Sequence, residues 1–183
     1  GRPVIALTPG PSAYLSAIER PDGFLGVLQR RGIELPKARI VEAGYTFESG
    51  VVAAEQLLAG KERPTAIFTG NDEMAAGVYK VAMRSGISIP RELSIVGFDD
   101  SPLASRLWPA LTSVRRNTRD TGRIAAAMLL QPEGSTALAA ASSSSTERDS
   151  AIDVCSSPEA CDTTRRSNRP SRSARISMLK SRN

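Results

Sequence analysis

The chain has 183 residues, of which 40% are hydrophobic but only 4% aromatic, and a formal net charge of +5. That length accommodates one ordinary domain with an appendage, its core built from Ala, Val, Ile and Leu. There is no histidine, which removes the usual general base near neutral pH and the commonest transition-metal ligand, and no window approaches the roughly 18 apolar residues of a membrane-spanning helix.

The predicted elements alternate. Val4 to Thr8 is a compact apolar strand closed by Pro9-Gly10-Pro11. A helical pattern follows from about Ser16 to Arg31, with Phe24, Leu25 and Leu28 on its apolar face. Pro21 removes a hydrogen bond past the first turn, so the helix is expected to begin near Ile18 or later. Arg39 to Glu42 reads as a second strand. Glu48 to Ala59 reads as a helix capped by Ser49, with Val52, Leu57 and Leu58 on its apolar side. Thr65 to Thr69 is the third strand. The helix from Asp72 to Arg84 carries acids in its first turn, where they suit the dipole. Strands at Leu93–Gly97 and Thr112–Arg115 and a helix at Asp120–Leu130 complete the body. Strands alternating with helices imply an α/β fold, a parallel sheet flanked by helices. Their continuous apolar runs fit strands covered on both faces.

After Leu130 the composition changes: residues 131–183 hold 13 serines, 7 arginines and no aromatic residue. Such a segment buries too little apolar surface to offset ordering entropy, and disorder is expected. The two cysteines, Cys155 and Cys161, both lie here at a spacing that matches no zinc signature. A cysteine-free body fits a reducing compartment, so a cytoplasmic location is expected. The chain opens Gly1-Arg2-Pro3 and runs straight into the first strand, without initiator methionine or signal-peptide pattern. It is expected to be a fragment lacking an N-terminal part.

The polar residues fall in a telling place. In an open parallel sheet, ligands bind outside the carboxyl ends of the strands. The segments after successive strands carry Ser12 and Tyr14, then Tyr45 and Thr46, then Asn71 and Asp72, then Asp99 and Asp100. Carboxylates and amides engage hydroxyl groups through several lone pairs and donors, and an aromatic ring packs on the apolar face of a sugar, so this set suits a small polyhydroxylated ligand. Each part also has a plainer reading: Asn71 as a helix cap, Asp99-Asp100 as a turn before Ser101-Pro102, Tyr45 as a half-buried surface aromatic and Arg20 as a solvated charge.

The stretches Arg63-Pro-Thr-Ala-Ile-Phe-Thr-Gly-Asn-Asp-Glu-Met-Ala-Ala-Gly77, Ile89-Pro-Arg-Glu-Leu-Ser-Ile-Val-Gly-Phe-Asp-Asp100 and Leu111-Thr-Ser-Val114, with Arg20-Pro-Asp-Gly-Phe24 and Tyr45-Thr-Phe-Glu-Ser-Gly50, resemble the effector domain of the lactose/galactose repressor (LacI/GalR) family over residues 3–130. The resemblance implies a periplasmic-binding-protein-like fold of two subdomains with the effector between them. Residues 1–114 would be the C-terminal subdomain and residues 115–130 the crossover strand and helix toward the missing N-terminal one. It implies that Arg20, Tyr45, Asn71 and Asp99 contact the effector and that Ser16 lines the same cleft. Leu103, Leu107 and Trp108 would contribute to a homodimer interface, with burial in the domain's own core as the plainer reading. A small-molecule effector (sugar, sugar acid or sugar phosphate) and, through the missing helix-turn-helix, operator DNA are the implied partners. No cofactor, metal or membrane partner is expected.

Three features depart from the family. Arg116 stands where many members carry a glutamine that reaches the ligand, and a cation there favours an anionic effector; the plainer reading points it to solvent. Gly44 replaces an acid found in some members. The tail after Leu130 does not resemble the family, which fits a frameshifted end or, alternatively, a linker-like extension. A periplasmic sugar carrier of the same fold is the main competing reading. An enzyme using Asp99 and Asp100 lacks any accompanying nucleophile elbow, phosphate loop or metal triad. The cations between Arg165 and Arg182 would attract phosphate without reading bases.

Overall fold

The computed structural model describes residues 3–60, 62–130 and 154–155. The expectation of disorder after Leu130 lies outside the described residues, apart from that last pair.

Four parallel strands form the sheet in sequence order: β1 (Ile5–Thr8), β2 (Ala66–Thr69), β3 (Ser94–Asp99) and β4 (Thr112–Arg115). A two-residue strand, Val154–Cys155 (β5), pairs antiparallel with β4 at Val114 and Ser113. The helices are α1 (Leu15–Arg30), α2 (Phe47–Leu58), α3 (Asp72–Arg84) and α4 (Thr118–Leu129). The parallel sheet flanked by helices is the architecture expected from the alternation of apolar runs.

Register sorts the side chains by face. Ala6 pairs with Ile67 and Ile67 with Ile95, and these buried residues join Leu57, Val78, Leu93 and Leu111 in the main core. This face is covered by α2 and α3, whose backbones approach closely: a Cβ on Gly50 would stand 2.4 Å from the Met74 carbonyl oxygen, and one on Gly77 would stand 2.4 Å from that of Phe47. Nine of the residues of α3 are buried, and burying a Val or Met side chain contributes roughly 1.5–3 kcal/mol, so α3 is the central helix of the domain. The opposite face presents Phe68, Val96, Phe98 and Val114. There α1 lays Phe24 on Phe68, ring centroids 4.9 Å apart, and leaves an apolar groove of about 440 Å³ alongside.

Three local expectations are corrected. Helix α1 starts at Leu15 and continues through Pro21. The proline removes one backbone bond, while Ala17 and Leu28 are buried on either side of it and Phe24 packs on Phe68 of the sheet. Arg39–Glu42 is not a strand: a 3-10 turn at Lys37–Arg39 leads into a single bridge from Ile40 to Leu7, because Arg39 and Ile40 N–H turn back to Pro36 O and Lys37 O, and the segment then meets β1 and the loop after it through Val41 N–H to Leu7 O and Ala43 N–H to Pro9 O. The cap of α2 is Thr46. Its hydroxyl accepts from Ser49 N–H while the Ser49 hydroxyl accepts from Thr46 N–H, a reciprocal capping box with Ser49 at its third position.

Candidate functional site

The segments leaving the carboxyl ends of β1, β2 and β3 meet around one side chain, Arg20. From the second turn of α1, its guanidinium donates to the Gly70 carbonyl oxygen, stands 3.9 Å from Asp99 Oδ1, lies 4.1 Å from the centroid of Phe98 and 5.8 Å from that of Tyr45. Only 13% of the Arg20 side chain is exposed. A cation this enclosed requires several partners, since an unpaired buried charge is costly.

Tyr45 owes its place to two glycines. A Cβ on Gly10 would lie 1.9 Å from the Tyr45 ring and one on Gly70 3.1 Å from it, so any side chain there would displace the aromatic. Tyr45 takes a left-handed backbone, φ 63, a conformation uncommon for a bulky residue. Asn71 holds it there by donating from Nδ2 to the Tyr45 carbonyl oxygen at 2.9 Å, while Asn71 Oδ1 accepts from Met74 N–H and caps α3. A side-chain amide offers four hydrogen-bonding positions, so capping and anchoring leave one donor and one acceptor position. The plainer reading of Asn71 as a helix cap holds, and it leaves these positions open.

Asp99 and Asp100 also have positive φ, 103 and 50. Successive residues held in such regions cost about 1–3 kcal/mol each and persist only where their surroundings impose them. Asp72 supplies much of that constraint. It is 2% exposed, accepts from the Ser113 hydroxyl at 2.6 Å and from Ser101 N–H at 2.7 Å, and Ser113 Oγ in turn accepts from Asp100 N–H at 3.0 Å. Asp72→Ala is expected to destabilise the chain by about 3 kcal/mol, because it strands a buried hydroxyl and a backbone donor. The check is a shift in the urea midpoint at unchanged m-value; a midpoint within error of the parent would rule the network out as the support of this turn.

Burial pushes the Asp99 carboxyl above its ordinary range, and Asp72 adds to that; Arg116 and Arg20 pull it the other way and lose. For a carboxyl raised by folding, the folded state binds the proton more tightly. The stabilising contribution is therefore full at acid pH, below the unfolded value, and disappears as pH rises through the folded value. Above that folded value the Asp99 carboxyl is a liability to stability. Asp99→Asn is accordingly expected to raise the melting temperature slightly at pH 7, with the gain shrinking in acid; thermal melts across pH check it, and a clear loss of stability at pH 7 would contradict it.

Arg116, just after β4, places Nε 3.0 Å from Asp99 Oδ1 with its side chain half exposed, so it faces the cluster rather than solvent alone. Arg115 pairs with Asp100. Ser16 is half-buried in the first turn of α1, at the same edge of the sheet. Leu107 packs partly against the main core, Leu103 is half-buried and Trp108 is 87% exposed, so of these three the tryptophan presents the open surface. Residues the sequence reading did not assign to the site are Phe98, Gly10, Gly70 and Ser113. The apolar run from Leu93 continues through Phe98, which offered a signal for it; nothing local marked the others. Three polar oxygens besides Asp99 Oδ1 are buried without a hydrogen-bond partner among the described residues: Thr8 Oγ1, Tyr45 Oη and Ser101 Oγ. Among the described residues no group of His, Cys, Asp and Glu has metal-holding geometry, and no helix is long and apolar enough to cross a membrane.

The periplasmic binding protein-like domain family matches residues 2–166. That range runs past Leu130, where the motif resemblance was expected to stop. Catabolite control protein A of Priestia megaterium is 42% identical over 107 residues, covering 58% of this chain and 32% of the relative. The ribose operon repressor of Escherichia coli K12 is 34% identical over 130 residues, 71% of this chain and 39% of its own length. Among solved structures, the transcriptional regulator CelR in complex with cellobiose superposes with a TM-score of 0.67 at 32% identity, over 71% of this chain and 40% of that one. The chain belongs to the periplasmic-binding-protein-like family, in the branch formed by the LacI-type regulators. It spans roughly a third to two-fifths of the length of these curated relatives.

Proposed function

We propose that this chain is the effector-sensing part of a LacI/GalR-type transcriptional regulator, binding a small sugar or sugar derivative in a cleft completed by a second subdomain and doing no chemistry on it. The observation that carries the reading is convergence: Arg20, on α1, reaches Asp99 and the Tyr45 ring and bonds to Gly70, the residue beside Asn71. Ligand hydroxyls would donate to the Asp99 carboxylate, whose side chain is 33% exposed, and would use the remaining amide positions of Asn71. Tyr45 would support the apolar face of the ring, and Ser16 and Arg116 would border the site. The names of the relatives support a sugar: one is a ribose operon repressor, and one solved regulator holds cellobiose.

In the intact protein, effector binding would favour one closure angle between subdomains and thereby set the spacing of paired DNA-binding heads at operator DNA. A ligand shifts such an equilibrium only by its differential affinity for the two states. Trp108 would belong to the homodimer interface, consistent with an exposed aromatic beside half-buried leucines. A thermal-shift panel of sugars, sugar acids and sugar phosphates tests the reading, since a ligand stabilises the native state according to its saturation. Stabilisation by one class that disappears in Asp99→Ala supports the sensor; a panel without effect removes it.

A further inference from the structure

Arg116 and Arg20 approach one carboxylate oxygen from two different elements, at 3.0 and 3.9 Å from Asp99 Oδ1. The adjacent acid, Asp100, is engaged with Arg115. The third acid nearby, Asp72, is spent inside the domain on Ser113 and Ser101. Two guanidinium groups therefore share a single carboxylate at the rim. They differ in freedom: Arg20 is enclosed and also bonded to Gly70, whereas the Arg116 side chain is 52% exposed and contacts Asp99 through Nε. A guanidinium has five N–H donors in a planar fork, so the half-exposed Arg116 has donors beyond the Nε that faces Asp99.

We infer that the ligand of this site is a polyhydroxylated molecule bearing an anionic group, a carboxylate or a phosphate, which takes the open edge of Arg116 while the hydroxyls pair with Asp99 and Asn71. This rests on the effector reading proposed above and narrows it. Covering a shared ion pair with a neutral ligand removes water from the arginine without replacing its partner, and that desolvation is costly. An oxyanion supplies paired, charge-assisted bonds in the geometry a guanidinium matches.

Saturation-transfer NMR on the full chain tests this at millimolar concentration with matched sets: glucose, glucuronate and glucose 6-phosphate, the corresponding galactose and ribose sets, and inorganic phosphate alone. The expected result is that an anionic member binds at least about tenfold more tightly than its neutral parent, a difference of about 1.4 kcal/mol. Arg116→Gln should bring the two to parity while the circular-dichroism spectrum stays that of the parent. The acid and phosphate arms identify which oxyanion is preferred. Equal or tighter binding of a neutral sugar overturns the anionic ligand while leaving the effector site standing. A preference that survives Arg116→Gln overturns the role of Arg116. Inorganic phosphate binding as well as a sugar phosphate shows charge attraction without recognition and also overturns it. No binding by any sugar removes both readings.

Discussion

Gly77→Ala is expected to be among the most damaging single-methyl additions in this chain, lowering stability by about 3 kcal/mol or more. The added Cβ would stand 2.4 Å from the Phe47 carbonyl oxygen and 2.6 Å from Val51 N, both backbone atoms of α2. Backbone cannot rotate away as a side-chain tip can, so the helices must separate and the buried contacts of Met74, Ala75 and Val78 loosen with them. For a domain of this size, about 3 kcal/mol corresponds to a fall in melting temperature of roughly 10 °C. Gly50→Ala, which meets the Met74 backbone from the other side of the same contact, should behave alike. Gly122→Ala is the internal control: it lies in α4 with nothing within 4 Å of the added carbon, and should be neutral or stabilising by about 0.5–1 kcal/mol through helix propensity. Circular-dichroism melts of the three variants decide the matter, and equal behaviour of Gly77→Ala and Gly122→Ala would refute the close α2–α3 approach.

Arg20→Ala should weaken binding of whichever sugar, sugar acid or sugar phosphate stabilises the parent by at least about 100-fold, near 2.7 kcal/mol. Four interactions depend on this guanidinium: the Gly70 carbonyl, Asp99, the face of Phe98 and the Tyr45 ring. Arg20→Lys keeps the charge but loses the planar fork and the flat stack on Phe98, so it should recover little. Isothermal titration on variants whose circular dichroism matches the parent provides the readout. Undiminished affinity in Arg20→Ala would dissociate the cluster from ligand binding altogether. Asp99→Asn offers a complementary signature, since it is expected to gain stability while losing affinity, the usual relation at a site whose strained, desolvated groups serve recognition.

Much of the site was legible because local rules and function coincide there. Asn71 preceding Asp72 and Glu73 announces a helix start, at the sheet edge where ligands of such folds bind; the start is where the signal puts it, with Asn71 capping α3 and anchoring Tyr45. The helix Asp72–Arg84 and the strand Thr112–Arg115 lie where their periodicity and end signals put them. Expectation failed where neighbours overruled local preference. Pro21 argues locally for a later helix start, yet α1 passes through it because packing on Phe68 outweighs one lost bond. Arg39–Glu42 has a strand's composition but lies at an edge, where one bridge is all that its geometry forms.

By itself, the order of residues determined the alternation of strands and helices and the placing of Tyr45, Asn71 and Asp99 just after strand ends, since propensity, capping and hydrophobic period act within a few residues. Only the tertiary structure decided that Arg20 reaches Asp99, 79 positions away, that Gly10 and Gly70 make room for the Tyr45 ring, and that Asp72 turns inward to hold the Asp99–Asp100 turn. The physical reason is range. Those contacts depend on how α1, α2 and α3 seat on the sheet, a balance of buried area and backbone clearance that no local segment encodes.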